Sequence, residues 1–240
     1  MKQAIRVPDR IFDRILLLVF LLMFCIGGYS VFDTWMIYNH AQDTDLLKYK
    51  PHVFVSDVEV SNVFLENEVA WLTVDDTQID YPVMQGKDNS EYLNKDPYGE
   101  YSLAGSLFLD VRNHADFSDE YSLIYGHHME HGIMFGALDA FLDEDYFNAH
   151  RTGSLTFSDG STLEIRFFAC LEADASVPEI FAPNTGYDAM SYIRSNALIW
   201  NRPDGETLLA LSTCKFPETA DRIIVVGSLH EPSASITNAN

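Results

Sequence analysis

Leu208-Leu209-Ala210-Leu211-Ser212-Thr213-Cys214, followed after a loop by Asp221-Arg222-Ile223-Ile224-Val225-Val226, is the most informative stretch of this chain. Leu208–Ser212 and Ile223–Val226 are apolar runs of strand length, which predicts two buried strands. Lys215–Ala220 between them reads as a loop, so Cys214 and Arg222 stand at the same end of adjacent strands. A thiol becomes a useful nucleophile when its proton is shared or its anion is favoured. A fixed cation beside it stabilises a thiolate or an oxyanion and orients a peptide carbonyl. Taken alone, Arg222 is better accounted for by a surface ion pair with Asp221 or Glu218.

Upstream, Ser122-Leu123-Ile124-Tyr125 predicts another strand, running into Gly126-His127-His128-Met129. The glycine allows a sharp turn and places an imidazole at the strand's end. A histidine near a cysteine supplies acid–base chemistry for acyl transfer, protonating a leaving amine and deprotonating an incoming one. A metal site is the competing reading of His127, His128 and His131. However, His128-Met129-Glu130-His131 lacks the spacing that sets two ligands and a base on one helix face, and Gly132 disfavours a helix. Neither a metal nor another cofactor is expected.

The three cysteines, Cys25, Cys170 and Cys214, form no disulfide framework and no Cys-x-x-Cys pair. Cys170 closes Arg166-Phe167-Phe168-Ala169-Cys170 and reads as a buried structural thiol. A Cys170–Cys214 bridge is its alternative in an oxidising compartment.

Short strands with turn signals continue the pattern back to Val69. Val69–Val74 and Ile79–Met84 flank Asp75-Asp76-Thr77-Gln78, and Ser106–Asp110 is a further compact run. Leu155–Phe157 and Leu163–Phe167 flank Asp159-Gly160, a hairpin signal. Leu163, Ile165 and Phe167 alternate with Glu164 and Arg166, giving one buried and one wet face. Three helical insertions are expected, at Ser90–Leu93, Met134–Phe147 and Tyr187–Trp200. The long excursion between Cys170 and Leu208 is unusual in a small β domain unless it walls a binding groove. The fold class is mainly β with helical insertions, as a barrel or sandwich.

The N-terminus has a different character. Ile15 to Phe32 is 18 residues without a charge, close to the roughly 20 needed to cross about 30 Å of hydrocarbon. Lys2, Arg6, Arg10 and Arg14 outnumber Asp9 and Asp13 before it, which predicts a cytoplasmic N-terminus and an external remainder. A signal peptide cleaved near Gly28-Tyr29-Ser30 is the rival. The length of the apolar run favours an uncleaved anchor, and Met23 and Phe24 are too large for lipoprotein processing at Cys25. From Thr34 to about Glu68, Trp35, Ile37, Tyr38, Leu46, Leu47 and Tyr49 recur at loose helical spacing up to Pro51, and Val58–Glu68 offers a second short helix. The expected organisation is a cytoplasmic stretch at 1–14, an anchor at 15–34, a helical appendage at 35–68, a β domain at 69–230 and a loose tail at 231–240. Of the formal net charge of −21, the first 32 residues contribute +2 and the remainder −23, from 11 basic and 34 acidic residues. Such a surface repels phosphate backbones, so nucleic acid is not an expected partner.

Several short motifs occur in one order: Asp80-Tyr81-Pro82-Val83-Met84-Gln85-Gly86, Asp88-Asn89, Tyr92-Leu93 and Ser106-Leu107-Phe108-Leu109-Asp110. Tyr125-Gly126-His127-His128-Met129, Met134-Phe135-Gly136, Leu211-Ser212-Thr213-Cys214 and Asp221-Arg222-Ile223-Ile224-Val225-Val226 follow. Each has many chance matches, but the ordered set, covering about Val69 to Leu229 behind an apolar anchor, resembles the class B sortases. That resemblance implies a closed sortase-type β-barrel with N-terminal helices, a single transmembrane helix and a long helix before the cysteine-bearing strand. It implies Cys214 as nucleophile, His127 as general acid/base because the family's histidine directly follows the glycine, and Arg222 as oxyanion or substrate-positioning cation. By position, Asn89, Leu93, Tyr125 and Ser212 would line the sorting-signal groove, with Ile180 and Phe181 as candidates for its apolar contact. Lys215-Phe216-Pro217 departs from the polar or acidic residues expected after the cysteine. Lys215 either helps hold a thiolate or points to solvent.

Sortases cleave a short motif near a target protein's C-terminus after threonine and pass the acyl group to an amine. The implied partners are surface or pilin proteins with a C-terminal sorting signal, and a peptidoglycan precursor or pilin lysine as acceptor, at a Gram-positive cell surface. A secreted cysteine peptidase and a non-catalytic membrane-tethered binding module are the two other classes the residues allow.

Overall fold

The computed structural model describes residues 6–41, 44–51, 65–215 and 219–232. The chain divides into two units, Met1–His40 and Ala41–Asn240. The first is occupied by one helix, α1 (Arg6–Ala41). Within α1, Ile11–Asn39 is 29 residues with a mean hydropathy of 2.6 and no burial, enough at 1.5 Å per residue to cross a bilayer core of about 30 Å. The helix runs well past the expected anchor boundary at residue 34, because nothing between Asp33 and Ala41 breaks helical geometry.

Among the described residues, the second unit is built on nine strands: β1 (Glu68–Val74), β2 (Asp80–Met84), β3 (Leu107–Leu109), β4 (Tyr121–Tyr125), β5 (Thr152–Thr156), β6 (Thr162–Asp174), β7 (Ile199–Trp200), β8 (Leu208–Cys214) and β9 (Asp221–His230). They lie in the order β5-β1-β2-β3-β4-β8-β9-β6-β7. The first half of β6 also pairs with β5, from Thr152↔Arg166 to Thr156↔Thr162. Eight strands therefore close into a barrel without free edges, and β7 hangs from β6 through Ala169↔Trp200 and Cys170↔Ile199. Pairing is antiparallel except at β2–β3 and β4–β8.

Inward residues fill the barrel at full burial, among them Leu72, Ile79, Leu107 and Leu109. Phe141 meets Tyr146, Phe147 and Phe167 edge-on at 5.4, 6.1 and 5.9 Å between centroids, a favoured aromatic geometry. On the other side, Leu46 and Leu65 join Trp71, Met84, Tyr92 and Phe108 in one apolar cluster. Leu46 belongs to the 3₁₀ segment Thr44–Tyr49, so part of the expected helical appendage packs on the barrel.

Several expected boundaries move. Glu68 starts β1 instead of ending a helix, and the rest of the Val58–Glu68 expectation up to residue 64 lies outside the described residues, as does the tail beyond residue 232. Met134–Phe147 is not one helix. It is a 3₁₀ segment, Phe135–Leu142, then α2 (Glu144–Ala149), because Asp143 is extended and its carboxylate accepts from the Tyr146 N–H as an N-cap. Ser90–Leu93 is a single 3₁₀ turn over Glu91–Leu93. The long helix implied before the cysteine strand is eight residues, α4 (Ala189–Asn196), and Trp200 belongs to a strand. The helix α3 (Pro178–Phe181) has no counterpart among the expected helices; it starts on a proline whose missing N–H costs nothing there.

Candidate active site

The parallel β4–β8 pair creates the site. Its register sets Ile124 against Leu211 and Tyr125 against Ser212. The Gly126 N–H donates to the Ser212 carbonyl at 3.1 Å, and the Thr213 hydroxyl donates to the Gly126 carbonyl at 2.9 Å. Gly126-His127 and Thr213-Cys214 thus leave the barrel side by side. The antiparallel β8–β9 pair places Cys214 directly opposite Arg222. Cys214, His127 and Arg222 all line one cavity of about 370 Å³.

Gly126 is needed for close approach rather than for a turn. A β-carbon there would fall 2.4 Å from the Leu107 side chain and 2.6 Å from that of Phe135. His127 is fixed by a bond from Nε2 to the Leu93 carbonyl at 2.7 Å. A carbonyl oxygen only accepts, so Nε2 carries the proton and Nδ1 is the nitrogen left for proton exchange. His128 is directed elsewhere and pairs with Asp139 at 2.8 Å. Arg222 is not an Asp221 ion pair: its Nη1 donates to the backbone carbonyls of Thr219 and Asp221 at 3.1 and 3.2 Å. Lys215 neither faces the thiol alone nor points only to solvent, since its Nζ pairs with Glu172 at 2.6 Å. Cys170 and Cys214 are both free thiols. Cys170 is buried among β6 neighbours, and burial pushes its thiol up to about 12.

Asn89, Leu93, Tyr125 and Ser212 line the same cavity, as does Phe181. Ile180 does not, being fully buried in the apolar cluster under α3 and α4. The Ser212 hydroxyl is buried with no hydrogen-bond partner among the described residues. Asn89 and Tyr125 converge on a group that sequence reasoning had not singled out for any role, the fully buried carboxylate of Asp110. Asp110 accepts from Asn89 Nδ2 at 2.8 Å, Tyr125 Oη at 2.9 Å, and Arg112 Nε and Nη2 at 2.8 and 2.6 Å. Burial alone would raise the Asp110 carboxyl, but the bonds from Arg112 and Tyr125 outweigh it and hold the group below the usual carboxylate range. The available signal was Asp110-Val111-Arg112 itself, because a charge closing a buried strand requires a partner.

The class this arrangement suits is cysteine acyl transfer: at one rim of a closed barrel a cysteine ends β8, an arginine faces it on β9, and a histidine follows two residues after β4. The sortase domain family matches residues 72–230. Sortase B of Listeria monocytogenes is 31% identical over 84% of this chain and 92% of its own length. Sortase B of Staphylococcus aureus is 28% identical over 67% of this chain and 69% of its own length. A class B sortase of Streptococcus pyogenes involved in pilus biogenesis superposes with a TM-score of 0.64 at 38% identity, covering 80% of this chain and all of that one. The chain belongs to the sortase family, in its class B. It is a cysteine transpeptidase, and its N-terminal helix is apolar and long enough for a single membrane span.

Proposed function

We propose that Cys214 attacks a sorting signal after its threonine and transfers the surface protein to an amine of cell-wall peptidoglycan. The observation that carries this reading is the Cys214↔Arg222 cross-strand pairing beside His127 in one cavity. The Cys214 thiol passes its proton to His127 as its sulfur adds to the threonine carbonyl carbon, and the oxyanion forms near the Arg222 guanidinium. The peptide C–N bond breaks and the leaving amine takes a proton from His127, giving a thioester. An incoming amine attacks that thioester, loses its proton to His127 and expels the Cys214 sulfur. Asn89, Leu93, Tyr125 and Ser212 hold the signal in the cavity. The unpartnered Ser212 hydroxyl supports that role, since a buried polar atom without a bond is costly until a ligand supplies one.

The anchor orientation belongs to the same reading. Residues 1–14 are cytoplasmic, 15–34 lie within the span, and the barrel at 69–230 works outside, supported by the basic flank ahead of the apolar run.

A second reading, with a pilin lysine as acceptor, is favoured by the similarity to the Streptococcus pyogenes sortase involved in pilus biogenesis. Incubating the enzyme with sorting peptides and either a cross-bridge amine or a pilin domain separates the two. Acyl-enzyme on Cys214 by mass spectrometry, absent in Cys214→Ala, supports the chemistry. A yield that no amine raises over hydrolysis would leave a peptidase.

A further inference from the structure

The cavity's outer wall is the segment after β6, residues 175–184. It contains only the four-residue helix α3, too short to hold a conformation by itself. Its inner side is anchored by Ile180, and its start is tied by the Ala175 N–H to the Ala220 carbonyl at 2.9 Å. Its far half is tied to the β3–β4 connection, by Arg112 and by a side-chain bond between Asn184 and Asp119. Arg112 Nη2, already bonded to Asp110, also donates to the Phe181 carbonyl at 2.6 Å. Asn184 Nδ2 donates to the Arg112 carbonyl at 2.8 Å. Arg112 therefore bridges a buried carboxylate on the barrel and the backbone of the wall, and Arg112, Ala175 and Phe181 all face the cavity.

We propose that Arg112 is a positioning residue that latches the 175–184 wall and thereby sets the grip on the donor peptide. The inference rests on the sorting-peptide reading of this cavity for its kinetic part, but not for the latch. A guanidinium suits the task because its planar fork spans two acceptors at once, which a lysine ammonium does with less geometric order. The wall acts on binding of an extended peptide: the latch meets β4 at Tyr125, a cavity-lining residue that also donates to Asp110, whereas Cys214 and Arg222 stand on β8 and β9.

The test uses the full chain in detergent, with Arg112→Ala, Arg112→Lys and Asn184→Ala. Hydrogen exchange read by mass spectrometry is expected to quicken in 175–184 and stay unchanged in 221–230 for both alanine variants. KM for the donor peptide is expected to rise about tenfold in Arg112→Ala, the effect of losing one charge-assisted hydrogen bond, with kcat within about twofold. Arg112→Lys should restore only part of that loss. Alkylation of Cys214 by iodoacetamide, which needs no wall, should keep its rate. Unchanged exchange in 175–184, or a fall in kcat with KM intact, would overturn the latch. Asn184→Ala removes an exposed tie and carries the test if Arg112→Ala fails to fold. If wild-type enzyme takes up no sorting peptide at all, the proposed function fails while the exchange result still decides the latch.

Discussion

His127 Nε2 and the Leu93 carbonyl oxygen lie 2.7 Å apart, so a 3₁₀ turn distant in sequence chooses the histidine's tautomer. Gly105 completes this arrangement. It sits at φ +60°, and a β-carbon on it would fall 2.6 Å from the Leu93 carbonyl oxygen and 3.0 Å from His127 Cδ2. Gly105→Ala is expected to disturb the ring and lower kcat by about tenfold or more without reducing Cys214 alkylation. Nitrogen-15 NMR of the histidine ring should report the Nε2–H form in wild type and a mixture in the variant.

Arg222 reaches the site from a strand rather than a loop, with Cys214 as its register partner. Arg222→Ala is expected to lower kcat/KM by about 10²–10³, the usual loss for one oxyanion-stabilising donor. Arg222→Lys should recover little, because one ammonium cannot both hold the loop carbonyls and face the substrate. Steady-state kinetics with a quenched fluorescent sorting peptide measure both, and near-wild-type activity in Arg222→Ala would remove the residue from the mechanism.

The two thiols of the barrel should differ sharply. With its thiol near 12, Cys170 is thiolate in only about one molecule in 10⁴ at pH 8, and the thiolate is the reactive form. Burial closes it off further. Iodoacetamide on native protein is expected to modify Cys214 and spare Cys170 by peptide mapping, with Cys170 labelled only after unfolding.

Glu68, at the first residue of β1, has its carboxyl raised by burial to about 7, despite a bond from the Leu65 N–H. The folded state therefore binds its proton more tightly than the unfolded chain does, between the ordinary 4.5 and about 7. Stability from this group is complete below the lower value and is lost as pH rises through the upper one. Glu68→Gln is expected to flatten that slope and raise Tm at pH 8 by roughly 2–4 °C, with little gain at pH 5, by calorimetry across pH.

Legibility in the sequence followed the locality of each signal. The strands were visible because apolar runs and turn residues are local, and Asp159-Gly160 marked the β5–β6 hairpin correctly, with Gly160 at φ +81°. Strand ends were less visible: β6 runs to Asp174 and β8 to Cys214 because pairing with β9, a long-range event, extends them. The site's three central residues stood at strand ends in the sequence and meet at one rim in the fold. The Asp110–Arg112 pair was hidden because its meaning lies in partners at positions 89, 125 and 181, which no local pattern connects. Ile180 is a groove candidate only by the resemblance, and the packing of α3 on α4 turns it inward.

β8 is the strand that joins the two halves of the barrel, with β4 on one side and β9 on the other. Until β8 is seated, the thiol of residue 214 has no fixed place beside the imidazole of residue 127, because the strand that carries it is unpaired with β4. On the proposed mechanism, reactivity toward peptide therefore reports that this long-range pairing, the slow kind of contact in forming such a barrel, is in place.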